Sequence, residues 1–179
     1  MKFHLYKLNQ ICILSLRNST IFKLIKTPLC LITINEGSHT RLIHYLNNNR
    51  INTKVLQQKE EKIEHINRRI RYVWLETSIY TKMTFARSLW QIKQKELNIK
   101  KLKRQSPIGQ SFINQQIDTK KYIHELYYCH CQDFEKKLRS KKPIWGRKYK
   151  LNYENKSYIL IQEFFTPEIM FFFNEKLNK

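Results

Sequence analysis

The chain predicts an α+β domain, a single antiparallel β-sheet flanked by helices. Two hairpin-like stretches and the helix-spaced segments between them carry that prediction. In Lys148–Tyr153, the residues Tyr149, Leu151 and Tyr153 alternate with Lys148, Lys150 and Asn152, the period of a half-buried strand. Glu154 to Ser157 reads as a turn, and Tyr158–Ile161 as a continuous apolar run, the pattern of a central strand covered on both faces. Arg71–Leu75 and Met83–Trp90, joined by a loop from Thr77 to Lys82, read as a second hairpin. Behind Ser38 in the N-cap position, Leu42, Ile43, Tyr45 and Leu46 fall at helical spacing until Asn47-Asn48-Asn49 ends the helix.

The intervening segments follow from the same rules. Ile51–Leu56 reads as a strand, and the charged stretch Gln57–Arg68 as a loop or an exposed helix. Gln91–Lys103 is helix-like and very basic, and Ser106-Pro107-Ile108-Gly109 breaks it before a helical turn over Ile108–Ile113. Asp118–Cys131 is two-sided: Tyr122, Ile123, Leu126 and Tyr127 have helical spacing, while the tyrosines favour a strand. Phe134–Arg139 reads as a charged helix, and Phe171-Phe172-Phe173 as an apolar patch that needs cover.

At 179 residues the chain is long enough for one domain with a real core, and 41% apolar with 13% aromatic residues excludes a disordered polypeptide. No run reaches the roughly 18 apolar residues that cross a membrane. Ala occurs once (Ala86) and Val twice (Val55, Val73), against abundant Ile, Asn and Lys, the mark of an AT-biased, organellar gene. The net charge of +20 is therefore partly genomic bias and partly a field that welcomes an acidic partner. Residues 1–35 lack Asp and Glu but carry Lys2, Lys7, Arg17, Lys23 and Lys26. Residues 1–27 are expected to be a basic N-terminal extension, or an import peptide if the gene is nuclear, and residues 28–179 the domain.

Two strand residues stand out chemically. Arg71 shares a face with Val73 and Leu75, so its guanidinium either snorkels out at the strand end or awaits a carboxylate. Glu163 interrupts an apolar strand and either faces solvent at a sheet edge or lines a closed pocket. The Pro107–Gly109 turn is either punctuation or a backbone N–H presented to a ligand. Four Cys at 12, 30, 129 and 131 form no disulfide framework; Cys129-His130-Cys131 suggests a metal, but no second ligand pair sits at zinc-like spacing, so no metal is expected. The chain has no GxGxxG, phosphate loop, HExxH or nucleophile elbow.

Several motifs in order resemble the chorismate lyase family, closest to the plastid-encoded and cyanobacterial chorismate-lyase-like proteins. They are Glu36-Gly37-Ser38-His39-Thr40-Arg41, Arg71-Tyr72-Val73-Trp74-Leu75, Phe85-Ala86-Arg87-Ser88, Ser106-Pro107-Ile108-Gly109, Trp145-Gly146-Arg147 and Gln162-Glu163-Phe164-Phe165-Thr166-Pro167. The resemblance spans about residues 28 to 170. It implies conversion of chorismate to 4-hydroxybenzoate and pyruvate, feeding quinone biosynthesis in the plastid, without cofactor. It implies Glu163 as the catalytic carboxylate, Arg71 binding the ring carboxylate, backbone N–H contact at Ile108 and Gly109, and support from Arg87, Trp145 and Arg147. A monomer with no membrane span and no nucleic-acid partner is expected. The alternatives are a non-catalytic binder of a small aromatic acid on the same fold, or a basic organellar RNA-binding protein using Lys93–Arg104. Ile108 stands where the family usually has a longer apolar chain, and residues 124–143 look longer and more polar than in the bacterial enzymes.

Overall fold

The computed structural model describes residues 9–14, 27–93, 106–153 and 157–169. Most of Lys93–Arg104, the turn at 154–156 and Phe171–Phe173 lie outside them. Seven strands form one sheet in the order β1-β5-β6-β7-β4-β3-β2. They are β1 (Asn9–Leu14), β2 (Ile51–Ile63), β3 (Ile66–Thr77), β4 (Lys82–Lys93), β5 (Lys120–His130), β6 (Ile144–Tyr153) and β7 (Ser157–Phe165). Every pairing is antiparallel. The helices are α1 (Thr27–Ile34), α2 (His39–Asn47), α3 (Ile108–Asn114) and α4 (Gln132–Leu138). The α+β expectation holds.

The helices sort to the two faces of the sheet by the side chains each face presents. On one face, Val73 and Leu75 of β3, Met83 of β4 and Phe165 of β7 pack with Ile32 of α1 and with Ile43 and Leu46 of α2. Next to them, Phe112 of α3 packs on Trp90, Tyr149 and Ile161. On the other face α4 inserts Phe134 among Trp74, Phe85 and Phe164, with ring centroids 5.1–5.9 Å apart. Such tilted and edge-on aromatic packing adds to simple burial. Ser38 caps α2 by accepting the Arg41 N–H, and Asn48 closes the helix in the left-handed conformation at φ 53°.

Three sequence expectations need correction. Gln57–Arg68 is neither loop nor helix: β2 runs on to Ile63, Glu64 and His65 turn the chain, and β3 begins at Ile66. This end of the hairpin is solvated, so its strands lack apolar alternation and are held by backbone pairing and cross-strand charges such as Arg69–Glu60 at 2.9 Å. Gln91–Lys93 extend β4 and do not begin a helix. In Tyr158–Ile161, Ile159 and Ile161 are buried but Tyr158 and Leu160 are half-exposed, so one face of β7 is only partly covered there.

The ambiguous segment 118–131 resolves as β5. Its register shifts between Ile123 and Glu125. The bulge inserts one residue, so Ile123 and Leu126, three apart, lie on the same face as they would on a helix. That shift explains the helical spacing of a strand.

Gly146 of β6 lies opposite Phe164, and a Cβ there would meet the Glu163 carbonyl oxygen at 2.5 Å and a Phe164 ring carbon at 2.6 Å. The carbonyl is backbone and cannot swing away. Gly146→Ala is therefore expected to destabilise the fold by about 1–3 kcal/mol, the usual penalty of overpacking. A urea unfolding midpoint equal to that of the parent protein would contradict this account of the β6–β7 contact.

Candidate active site

A cavity of about 270 Å³ lies between the first sheet face and the ends of α2 and α3. Each strand crossing it contributes alternate residues: Arg71 and Val73 from β3, Ala86 and Ser88 from β4, Ile161 and Glu163 from β7, Tyr149 and Leu151 from β6, and Lys121 from β5. Pro107, Ile108 and Gly109 form one wall and Gly37, Ser38 and His39 another. The two walls touch: a Cβ on Gly109 would come 3.2 Å from Ser38 Oγ, so the glycine sets how closely α3 approaches the α2 cap.

Glu163 is buried, which settles its two-sided sequence reading against a solvent-facing edge. Arg147 lies directly opposite it on β6 and is fully buried. Arg147 Nε donates to Glu163 Oε2 at 2.8 Å, and the Tyr149 hydroxyl donates to Glu163 Oε1 at 3.0 Å. Arg147 Nη1 is held by the carbonyls of Ile32, Thr33 and Asn35 at 2.9–3.2 Å. Burial alone would raise the Glu163 pKa. The neighbouring positive charge, Arg147 foremost, overrides that and holds it at about 2, so the carboxylate stays ionised.

Arg71 is also buried, so it does not snorkel. Its Nη1 donates to the Ser106 carbonyl at 3.0 Å. Its Nε and Nη2 have no hydrogen-bond partner among the described residues and reach no solvent. Those two nitrogens form one edge of the guanidinium, the fork that takes both oxygens of a carboxylate. Burial and then Arg69 lower the Arg71 pKa to about 10, which leaves it charged at neutral pH.

Three further groups were not singled out by sequence. Lys121 Nζ donates to the carbonyls of Asn35 at 2.7 Å and Gly37 at 3.4 Å and sits 4.3 Å above the Tyr149 ring. Burial, then Arg147, brings its pKa down to about 8. His39 is buried against Phe165, with Nε2 2.9 Å from Thr84 Oγ1 and with Nδ1 buried and without a partner among the described residues. Tyr149 is buried, and its hydroxyl pKa is raised by burial and by Glu163. Tyr149 was discoverable, since it sits two residues after Arg147 on one strand face. Lys121 was hidden in the basic background, and His39 read only as the start of a helix.

The remaining sequence-predicted residues divide. Ile108 and Gly109 line the cavity. Arg87 is exposed on the opposite face of the sheet, where it pairs in register with Tyr72, and does not reach the cavity. Trp145 is half-buried, packed against the Ile32 cluster and 4.7 Å from Tyr128, outside the cavity wall. Cys129 and Cys131 are free thiols within the aromatic core around Phe134, and burial pushes the Cys129 thiol up to about 12. His130 between them pairs with Glu135 at 3.3 Å.

The family described as chorismate pyruvate-lyase Rv2949c-like matches residues 33–173. The chain belongs to that family. Arg71, Glu163, Arg147 and the 107–109 wall all fall inside the matched span, and the family implies a small-molecule substrate. The chain is also 36% identical over 152 residues to the uncharacterised protein ycf21 of Antithamnion sp., covering 85% of each. It is 34% identical to the ycf21 of Porphyra purpurea and 31% to that of Pyropia yezoensis, in each case over 76% of this chain and 79% of the relative. These red-algal relatives are plastid-genome-encoded, which supports a plastid location for this lyase-family chain. Among the described residues no helix is long and apolar enough to cross a membrane.

His39 carries a pH signature. Burial lowers its pKa from 6.5 to about 4, with Glu163 opposing. The unfolded chain therefore takes up this proton first as pH falls, and stability present above pH 6.5 is lost on the way down to about 4. By linkage the loss is on the order of 3 kcal/mol. His39→Met should flatten that part of the profile, while the titration of Glu163, depressed from 4.5 to about 2, overlaps only its lower end. Urea midpoints at several pH values between 7 and 4 measure the difference, and parallel profiles for the two proteins would refute the assignment.

Proposed function

We propose that this protein is a chorismate pyruvate-lyase, converting chorismate to 4-hydroxybenzoate and pyruvate, with the aromatic product feeding quinone biosynthesis. The observation that carries the reading is the unpaired edge of Arg71. A buried guanidinium with two adjacent N–H donors and no partner among the described residues, on the wall of a mostly apolar cavity, suits a planar carboxylate. Glu163, on the central strand of the same cavity, is ionised and fixed by two hydrogen bonds.

The chemistry asks little of the protein beyond binding and orientation. The bond from ring carbon 3 to the ether oxygen breaks, ring carbon 4 loses its hydrogen, and the enolpyruvyl methylene gains one. Every atom of chorismate then resides in the two products, so the balance calls for no co-substrate. Aromatisation of the ring supplies the driving force. The protein holds the ring carboxylate on Arg71 and places Glu163 beside the ring hydroxyl and the departing ether oxygen, where it orients the ring and handles the proton. The apolar walls of Val73, Ile108 and Ile161 exclude water from the reacting face.

Steady-state kinetics with chorismate test this assignment. Arg71→Ala should chiefly raise KM, by about 10- to 100-fold, because it removes a charge-assisted fork worth about 1.5–3 kcal/mol. Glu163→Gln keeps a hydrogen-bonding partner for Arg147 and Tyr149 and should chiefly lower kcat, by about 100-fold or more. Folded variants with the turnover of the parent protein would reject these roles. A parent protein that binds 4-hydroxybenzoate but releases no pyruvate from chorismate would establish the non-catalytic binder instead.

A further inference from the structure

We propose that Lys121 forms a second anion-receiving pole of the cavity. The site then selects a dicarboxylate, with one carboxylate on Arg71 and the other, carried on a short ether arm, on Lys121. This rests on the lyase reading and adds how the three-carbon leaving unit is held.

Three observations converge on it. Position comes first. Arg71 and Lys121 stand on β3 and β5, four strand spacings apart in the sheet, or roughly 19 Å at the backbone. Both side chains line the same cavity, one at each end.

Charge comes second. Of the acidic groups lining the cavity, Glu163 is neutralised by Arg147, and Glu36 is exposed. Glu163 and Glu36 act on Lys121 only through space, with no ion pair to it among the described residues, so Arg71 and Lys121 are two cations lining one cavity. A dianion meets both more fully than a monoanion does.

The third observation is the set of contacts at Lys121. Its two hydrogen bonds go to the carbonyls of Asn35 and Gly37, which orient the ammonium without cancelling its charge. The amine lies over the ring of Tyr149, whose hydroxyl reaches Glu163. The second pole is therefore adjacent to the carboxylate at the breaking bond. His39 lines the same cavity, and its buried Nδ1, without a partner among the described residues, is a donor when Nε2 accepts from the Thr84 hydroxyl.

The test compares an inert diacid, 3-(carboxymethoxy)-4-hydroxybenzoate, with the monoacid 4-hydroxybenzoate by titration calorimetry. The unmodified protein should bind the diacid about 10-fold or more tightly than the monoacid. Lys121→Gln keeps a donor for the Asn35 and Gly37 carbonyls but removes the charge. It should weaken the diacid about 10-fold and shift the monoacid by less than about 2-fold, while Lys121→Arg retains the preference. Arg71→Ala should weaken both ligands. Equal affinity of the unmodified protein for the two acids overturns the proposal, whatever the variants do. So does a Lys121→Gln variant that loses both ligands alike or neither. Pyruvate release from chorismate, followed on the same preparations, separates the two claims. Its absence refutes the lyase reading, whereas turnover with no diacid preference refutes only the second pole.

Discussion

The structure depends on one buried ion pair. Arg147 is fully buried, and its guanidinium joins three pieces of the chain: its own strand β6, the Glu163 carboxylate of β7, and the carbonyls where α1 ends. A buried charge is tolerated when it is paired and most of its hydrogen bonds are met; of the Arg147 nitrogens, Nη2 has no partner among the described residues. Here the cation meets the carboxylate and also the carbonyls at a helix C-terminus, where positive charge is favoured. The result fixes the turn at Asn35–Ser38, and with it the helix α2 that closes one wall of the cavity. It also keeps Glu163 ionised, with one carboxylate oxygen held by Arg147 and the other by the Tyr149 hydroxyl.

The other buried arginines of the sheet are handled differently. Arg69 is paired with Glu60 and lies 5.1 Å from the centre of the Trp90 ring, so its charge is met within the chain. Arg71, two residues on and on the same face, is given one backbone carbonyl and leaves an edge open. Such incomplete satisfaction is uncommon in a folded core, because an unpaired buried donor costs roughly 1–3 kcal/mol. Arg69 thus has a charged partner within the chain, whereas Arg71 has only a backbone carbonyl among the described residues, which is the feature the proposed carboxylate site rests on.

Most of the fold was legible in the sequence, because the central strands β3, β4, β6 and β7 and the capped helix α2 obey simple periodicity. What was not legible has identifiable causes. The solvated end of the β2–β3 hairpin carries no apolar alternation, and the bulge in β5 shifts its phase so that a strand mimics a helix. At the site, Arg71 and Glu163 were visible because each is a charge on an apolar strand. The partner that holds Glu163 ionised, Arg147, was seen only as a supporting residue, since nothing in the local pattern says that two strands will set it opposite Glu163. Arg87 belonged to the same family motif as Ala86 and Ser88, but strand alternation sends it to the other face while those two line the cavity. Strand parity alone, applied from Arg71 through its partner Ser88, would have excluded it.

The central claim is that one cavity holds an aromatic acid with its carboxylate on Arg71 and its ring oxygen beside Glu163. A crystal structure of the protein grown with 4-hydroxybenzoate tests it most directly. The account predicts density for the ligand inside the cavity, its carboxylate forked on Arg71 Nε and Nη2 and its phenolic oxygen within hydrogen-bond reach of Glu163. A ligand bound in the reverse orientation, or bound elsewhere while the Arg71 edge stays empty, would contradict it.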